Sequence, residues 1–432
     1  MDRTIRPASR IEGVVRLPGD KSISHRYAML ASIADGPSEI TNYSTGADCA
    51  STLACMRALD VKIEHEGTTV RVEGVGRDGL QAPAERLDCG NSGSTIRMLS
   101  GILAGQSFVS EIAGDESIAR RPMKRIITPL EQMGAKIEAR DGEFAPLRIH
   151  GGKLHGIHYR PPVASAQVKT CTLFAGLFAE GETAVTESVL TRNHSELALR
   201  RFGVEVETEG LTARLRGGQR LKGQNLPVPS DISSAAFFIA AALLLPGSKL
   251  RIEGVGLNPT RAELLKVLQS MGAKIQVADV EDADGEAIGT LVVEGPSSAG
   301  APVIEGGTIE GAVTAGVIDE VPMLAVLGAA SLHGLEIRDA GELRVKETDR
   351  IATVAENLRR MGVDVVAFPD GLRISGGARL KGAELDSFGD HRIAMAFAVA
   401  ALRAKGESVM RNAEAASVSF PEFYDTLQSR LA

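Results

Sequence analysis

DKSISHRYAMLASIADG, Asp20–Gly36, opens on charged and hydroxylated residues, continues through small and apolar ones, and stops at a glycine. The same pattern returns as GNSGSTIRMLSGILAG (Gly90–Gly105), SAQVKTCTLFAGLFAEG (Ser165–Gly181), SDISSAAFFIAAALLLPG (Ser230–Gly247), IDEVPMLAVLGAASLHG (Ile318–Gly334) and FGDHRIAMAFAVAALRAKG (Phe388–Gly406). Each spells a helix that is apolar nearly all round and must therefore be buried. Recurrence at about 70 residues over the whole chain marks a repeat protein.

A second element follows each buried helix: an amphipathic helix that in five copies runs into a short alternating strand. The joins are ALDVKIE from Ala58, MGAKIE from Met133, FGVEVE from Phe202, MGAKIQ from Met271 and MGVDVV from Met361. The sixth, FPEFYDTLQSRL, reaches the C-terminus without a strand, so the N-terminal TIRPA is expected to supply it. Six βαβαββ-like repeats, in a chain of 432 residues that exceeds one core's usual size, predict a two-domain α/β protein with three repeats per domain. The expected linker is PVPS, Pro227–Ser230, with a second crossing near Leu17–Asp20. The domains become residues 1–18 plus 230–432, and an inserted 19–229.

A net charge of −7 argues against a nucleic-acid coat, and no apolar run approaches a bilayer span. MDRTIRPASRIEGVV has no charged segment leading into an apolar run, so neither export nor membrane insertion is expected. Cys49, Cys55, Cys89 and Cys171 have neither CxxC spacing nor a nearby histidine pair, so reduced thiols in a cytoplasmic protein are expected. GVGRDG, Gly74–Gly79, fits a dinucleotide fingerprint in letters only, because QAP follows where a helix must start. GDKS lacks the second glycine of a P-loop.

Helix N-termini carry unpaired N–H groups and about half a positive charge. Short polar residues at these starts are ordinary caps. Cations there oppose the dipole, and many recur: Lys21, Arg26, Arg97, Lys169 and Arg392 near the buried helices, Arg121, Arg192, Arg261, Lys346 and Arg350 before the others. Small, multiply anionic substrates are the expected ligands, with Arg261 and Arg97 the first candidates for plain surface or ion-pair roles.

LPGDKSISHR (Leu17), GNSGSTIR (Gly90), RRPM (Arg120), SAQVK (Ser165), TRNH (Thr191), IDEVP (Ile318), VKETDRI (Val345) and DHRIAMAF (Asp390) together resemble, in order and over the full length, the signature set of the 5-enolpyruvylshikimate-3-phosphate synthases. The resemblance implies two inverted α/β barrel halves (an α/β prism) with the active site in the interdomain cleft. It implies enolpyruvyl transfer from phosphoenolpyruvate to the 5-hydroxyl of shikimate 3-phosphate in the shikimate pathway, with no metal or organic cofactor. Shikimate 3-phosphate would be held by Lys21, Ser22, Arg26, Ser165, Ala166, Gln167, Arg192, Asp319 and Lys346. Phosphoenolpyruvate would be held by Lys21, Gly93, Arg121, Gln167, Arg350 and Arg392. The implied catalytic groups are Asp319 near the attacking hydroxyl, Glu347 as the other acid/base, and Lys21. Glu320 is expected to cap or support.

Ala166, Lys169 and Val418-Ser419 depart from the commonest pattern and resemble the family's second subclass. Gly93 leaves room beside phosphoenolpyruvate, which implies that glyphosate binds. A UDP-N-acetylglucosamine enolpyruvyl transferase would carry a cysteine in the mobile loop, where this chain has GDESIARRP with Glu116. An RNA 3′-phosphate cyclase fits the acidic balance poorly. A non-catalytic anion-binding repeat protein would have no reason to place Asp319, Glu347 and several arginines at equivalent module ends. Monomer is the default expectation.

Overall fold

The structure, a computed structural model, describes residues 1–283, 285–298 and 301–432. It divides into two compact units, Gly19–Val228 and Met1–Pro18 with Pro229–Ala432.

In Gly19–Val228 the helices are α1 (Lys21–Ser32), α2 (Ala47–Ala58), α3 (Gly93–Ala104), α4 (Glu116–Arg120), α5 (Lys124–Gln132), α6 (Ala166–Gly176) and α7 (His194–Arg201). Three four-stranded sheets accompany them, each with one parallel and two antiparallel pairings. In two, the buried helix crosses between the parallel strands: α3 from Leu87–Asp88 to Val109–Ala113, and α6 from His158–Tyr159 to Glu182–Thr186. In the first, the parallel partner of Asp35–Thr41 is Asn225–Pro227, so the last strand of the unit completes the sheet of its first repeat. α3 and α6 approach closely because Gly101 has no side chain: a Cβ there would lie 2.1 Å from the Cys171 carbonyl.

The other unit contains α8 (Ile232–Leu244), α9 (Glu263–Ser270), α10 (Gly311–Val317), α11 (Val321–Ala330), α12 (Arg350–Arg360), α13 (His391–Leu402) and α14 (Phe423–Gln428). Every residue of α8, α11 and α13 is buried, as their unbroken apolar sequences require. Arg3–Ile5 pairs antiparallel with Ser408–Arg411, and Glu12–Arg16 pairs in parallel with Lys249–Gly256. The N-terminus thus completes two sheets of a unit whose remaining chain begins 211 residues after Pro18, at Pro229.

Each unit has its own hydrophobic core, one built on α1, α3 and α6, the other on α8, α11 and α13. Among the described residues the sheets are separate hydrogen-bonded sets, so the repeats surround buried helices without one continuous barrel ladder. Among the described residues no single helix is long and apolar enough to cross a membrane; α10 and α11 reach that length only together, and they are bent by 108°.

Candidate active site

Five of the six buried helices are capped by the preceding side chain. The oxygens of Asp20, Ser92, Ser165, Asp231 and Asp390 accept from the N–H groups of Ile23, Thr95, Val168, Ser233 and Arg392. These short acceptors fix the first turns and so aim the cations beside them.

In Gly19–Val228, the start of α1 carries Lys21, whose Nζ lies 2.9 Å from Asp48 Oδ2. Ser22 Oγ accepts from Arg192 Nη1 at 3.4 Å, which brings together two residues 170 apart in sequence. Arg26 is buried: Nε donates to Ser195 Oγ (2.8 Å), Nη1 to the Ser22 carbonyl (2.7 Å) and Nη2 to Thr170 Oγ1 (2.7 Å). Much of its donor capacity therefore ties α1 to α6 and α7. A second group joins α3 to α6: Arg97 Nη1 donates to Gln167 Oε1 (2.8 Å), and Gln167 Nε2 to Ser94 Oγ (3.0 Å). Arg121 Nη2 donates to Ser117 Oγ at 2.8 Å, and Arg121 Nη1 lies 3.1 Å from where a Cβ on Gly93 would be. Ser165 ends as a helix cap, with Ala166 the first residue of α6.

Lys169 departs from the expected pattern of ligand-facing cations. It is 1% exposed, and its ammonium lies 2.8 Å from Glu187 and 2.9 Å from Glu196. Its positive charge is met internally. Arg97, taken from sequence as a surface or ion-pair candidate, instead bonds to Gln167 beside Gly93.

In the other unit, Asp319 Oδ1 lies 3.9 Å from Lys346 Nζ and 3.7 Å from Arg350 Nη1, and its Oδ2 lies 3.7 Å from Arg392 Nη2. These four residues come from the starts of α11, α12 and α13. Arg350 is 1% exposed, bonded to Glu347 and, through Nε at 2.8 Å, to the fully buried Asp390. Burial alone would lower the guanidinium pKa, but Asp390 and Glu347, with Asp319, hold it above the usual arginine range. Arg350 is thus a fixed cation at any ordinary pH.

Glu320 gives α11 no side-chain cap. Its Oε1 instead accepts from Arg261 Nη1 (3.2 Å), Arg392 Nη1 (3.4 Å) and the Ser233 hydroxyl. Arg392 Nη1 also reaches the Asp319 carbonyl at 2.8 Å. Glu320, itself held by Arg261, therefore braces Arg392.

Sequence reasoning missed Asp48 and the bracing by Asp390. Both lie at helix starts, where an acidic residue reads equally well as a cap, and only the fold shows which cation each meets.

The sequence matches the family described as EPSP synthase (3-phosphoshikimate 1-carboxyvinyltransferase) over residues 5–427. It is 64% identical over 428 residues to the 3-phosphoshikimate 1-carboxyvinyltransferase of Solibacter usitatus, covering 99% of each chain. It is 55% identical to that of Koribacter versatilis, covering 98% of this chain and 97% of the relative. The structure superposes on an EPSP synthase of Acinetobacter baumannii with a TM-score of 0.88 at 41% identity, covering 100% of this chain and 98% of the other. The chain belongs to the EPSP synthase (3-phosphoshikimate 1-carboxyvinyltransferase) family.

Proposed function

We propose that the chain transfers the enolpyruvyl group of phosphoenolpyruvate to the 5-hydroxyl of shikimate 3-phosphate. The hydroxyl oxygen attacks C2 as C3 gains a proton; loss of a C3 proton then expels phosphate and restores the double bond. One group must take the hydroxyl proton, and one must give and recover the C3 proton.

The observation that carries this reading is the Asp319 carboxylate with three cationic heads, Lys346, Arg350 and Arg392, within 4 Å. A carboxylate so placed can accept a proton from a substrate bound through its own anionic groups to the same cations. Asp319 is assigned the hydroxyl proton. Glu347, bonded to Arg350, is assigned the C3 proton. Lys21 assists protonation and phosphate departure, once substrate anions compete with Asp48 for its ammonium.

Ser22, Arg26, Ser165, Ala166, Gln167, Arg192 and Lys346 are assigned to shikimate 3-phosphate. Gly93, Arg121, Gln167, Arg350 and Arg392 are assigned to phosphoenolpyruvate, whose carboxylate and phosphate suit guanidinium forks. Glyphosate, which carries a carboxylate and a phosphonate, is assigned to the same cations. Potent tolerance with an ordinary KM for phosphoenolpyruvate would contradict that. We also infer a cytoplasmic monomer, which four buried free thiols suit.

Solvent-deuterium incorporation tests the proton roles. Single turnovers in heavy water should label the methylene of product and recovered phosphoenolpyruvate in the parent. Glu347→Gln should lower labelling and turnover together by about 100-fold or more. Labelling at the parent rate in Glu347→Gln would remove Glu347 from the C3 step.

A further inference from the structure

Lys169 is the most deeply buried ammonium near any proposed ligand residue, and the mechanism does not use it. It sits on α6, one turn after Ser165 and two residues after Gln167. Its two partners, Glu187 and Glu196, are each 3% exposed, and Glu196 Oε2 has no hydrogen-bond partner. Two carboxylates on one lysine give the cluster a formal charge of −1, costly to bury unless the lysine stays between them.

The connections on the far side of these carboxylates show what the cluster holds. Glu187 follows the strand Glu182–Thr186 and receives both donors of Thr191: the hydroxyl at Oε1 and, at 3.4 Å, the backbone N–H at Oε2. Thr191 directly precedes Arg192, whose guanidinium reaches Ser22. Glu196 lies in the first turn of α7, three residues from Asn193, while its neighbour Ser195 bonds to Thr170 and accepts from Arg26. Adjacent residues of α6, Lys169 and Thr170, thus clamp adjacent residues of α7, and the segment carrying Arg192 is tied at both ends.

We propose that Lys169 is a positioning residue for the shikimate 3-phosphate grip: through Glu187–Thr191 and Glu196 it sets where Arg192 stands relative to Ser22, Ser165 and Gln167. This rests on the functional reading above. Arg192 is a half-buried cation just before α7, and a cation on an untethered loop would lose orientational entropy each time it met a ligand. The clamp removes that cost before the ligand arrives. Its effect should fall mainly on shikimate 3-phosphate, because Arg192, the residue it positions, is assigned to that ligand and not to phosphoenolpyruvate.

The test is calorimetric binding of shikimate 3-phosphate, with steady-state kinetics, for the parent, Lys169→Met, Lys169→Arg and Thr191→Val. Thr191→Val cuts only the outer link and leaves the buried charges paired, so it reports even if Lys169→Met fails to fold. Lys169→Met and Thr191→Val should weaken shikimate 3-phosphate binding by about tenfold and severalfold, with the KM for phosphoenolpyruvate and kcat within about twofold of the parent. Lys169→Arg should recover part of the loss. A parent that binds no shikimate 3-phosphate would sink the functional reading itself. A parent that binds it, with Thr191→Val and any folded Lys169 variant binding equally well, would overturn this inference alone; so would equal losses for both substrates.

Discussion

Gly93 opens α3, and a Cβ there would meet Arg121 Nη1 at 3.1 Å and Arg97 Nη1 at 3.2 Å. Both are ends of flexible side chains, so alanine should fit the fold while pushing the guanidiniums aside. Gly93→Ala is predicted to raise the KM for phosphoenolpyruvate about tenfold with a melting temperature within about 2 °C of the parent. An unchanged KM would place that ligand elsewhere. His25 makes a pH prediction. Its imidazole is wholly buried, and burial, then the charges of Lys21 and Arg26, hold its pKa well below the usual range against a smaller opposing effect of Asp20. Because the folded value is depressed, the proton binds the unfolded chain better. The neutral histidine's contribution is therefore complete above its unfolded pKa of about 6.5 and lost as pH falls toward the folded value. Denaturation midpoints should drop on acidification below about pH 6.5, and His25→Asn, which can still bond Thr52, should flatten that slope. Burial also pushes the Cys55 thiol up to about 12, and Cys49, Cys89 and Cys171 above the usual range. Alkylating reagents should leave native activity intact, unlike an enzyme that depends on an accessible cysteine.

At the scale of elements, the starts of α12 and α13 are joined by Arg350 and Asp390, both essentially inaccessible. Asp390→Asn should cost about 3 kcal/mol, read as a lower denaturation midpoint, because it weakens the partner of a buried cation that cannot lose its proton. It should also raise the KM for phosphoenolpyruvate, and stability loss without a KM change would separate Arg350 from the ligand. The six buried helices were legible because polar starts, apolar runs and terminal glycines coincide in each copy. The strands that open several repeats were not: Leu87–Asp88 and His158–Tyr159 are two residues long, too short for any alternation. α10 was also missed, in a glycine-rich stretch of low helix propensity. The placement of cations at helix starts was legible, but their partners were not. Lys169 meets carboxylates 18 and 27 residues away, and nothing local in SAQVK distinguishes a clamped lysine from a ligand-facing one.

For the whole molecule, the chain leaves the unit that holds both termini at Pro18 and returns to it at Pro229, and each unit has its own core. Residues 19–228 have a closed set of sheets, with Asn225–Pro227 completing the first. That segment alone is predicted to fold with a cooperative thermal transition and to show no turnover, since Asp319 and Glu347 lie outside it. A non-cooperative melt would show that the core needs the other unit. The central claim is the identity of the acceptor. Phosphate release from phosphoenolpyruvate should be measured with shikimate 3-phosphate or UDP-N-acetylglucosamine as acceptor, for the parent and Asp319→Ala. Release with shikimate 3-phosphate alone, falling by about 1,000-fold or more in the variant, is the predicted result. Release with the sugar nucleotide alone, or with neither acceptor, would contradict it.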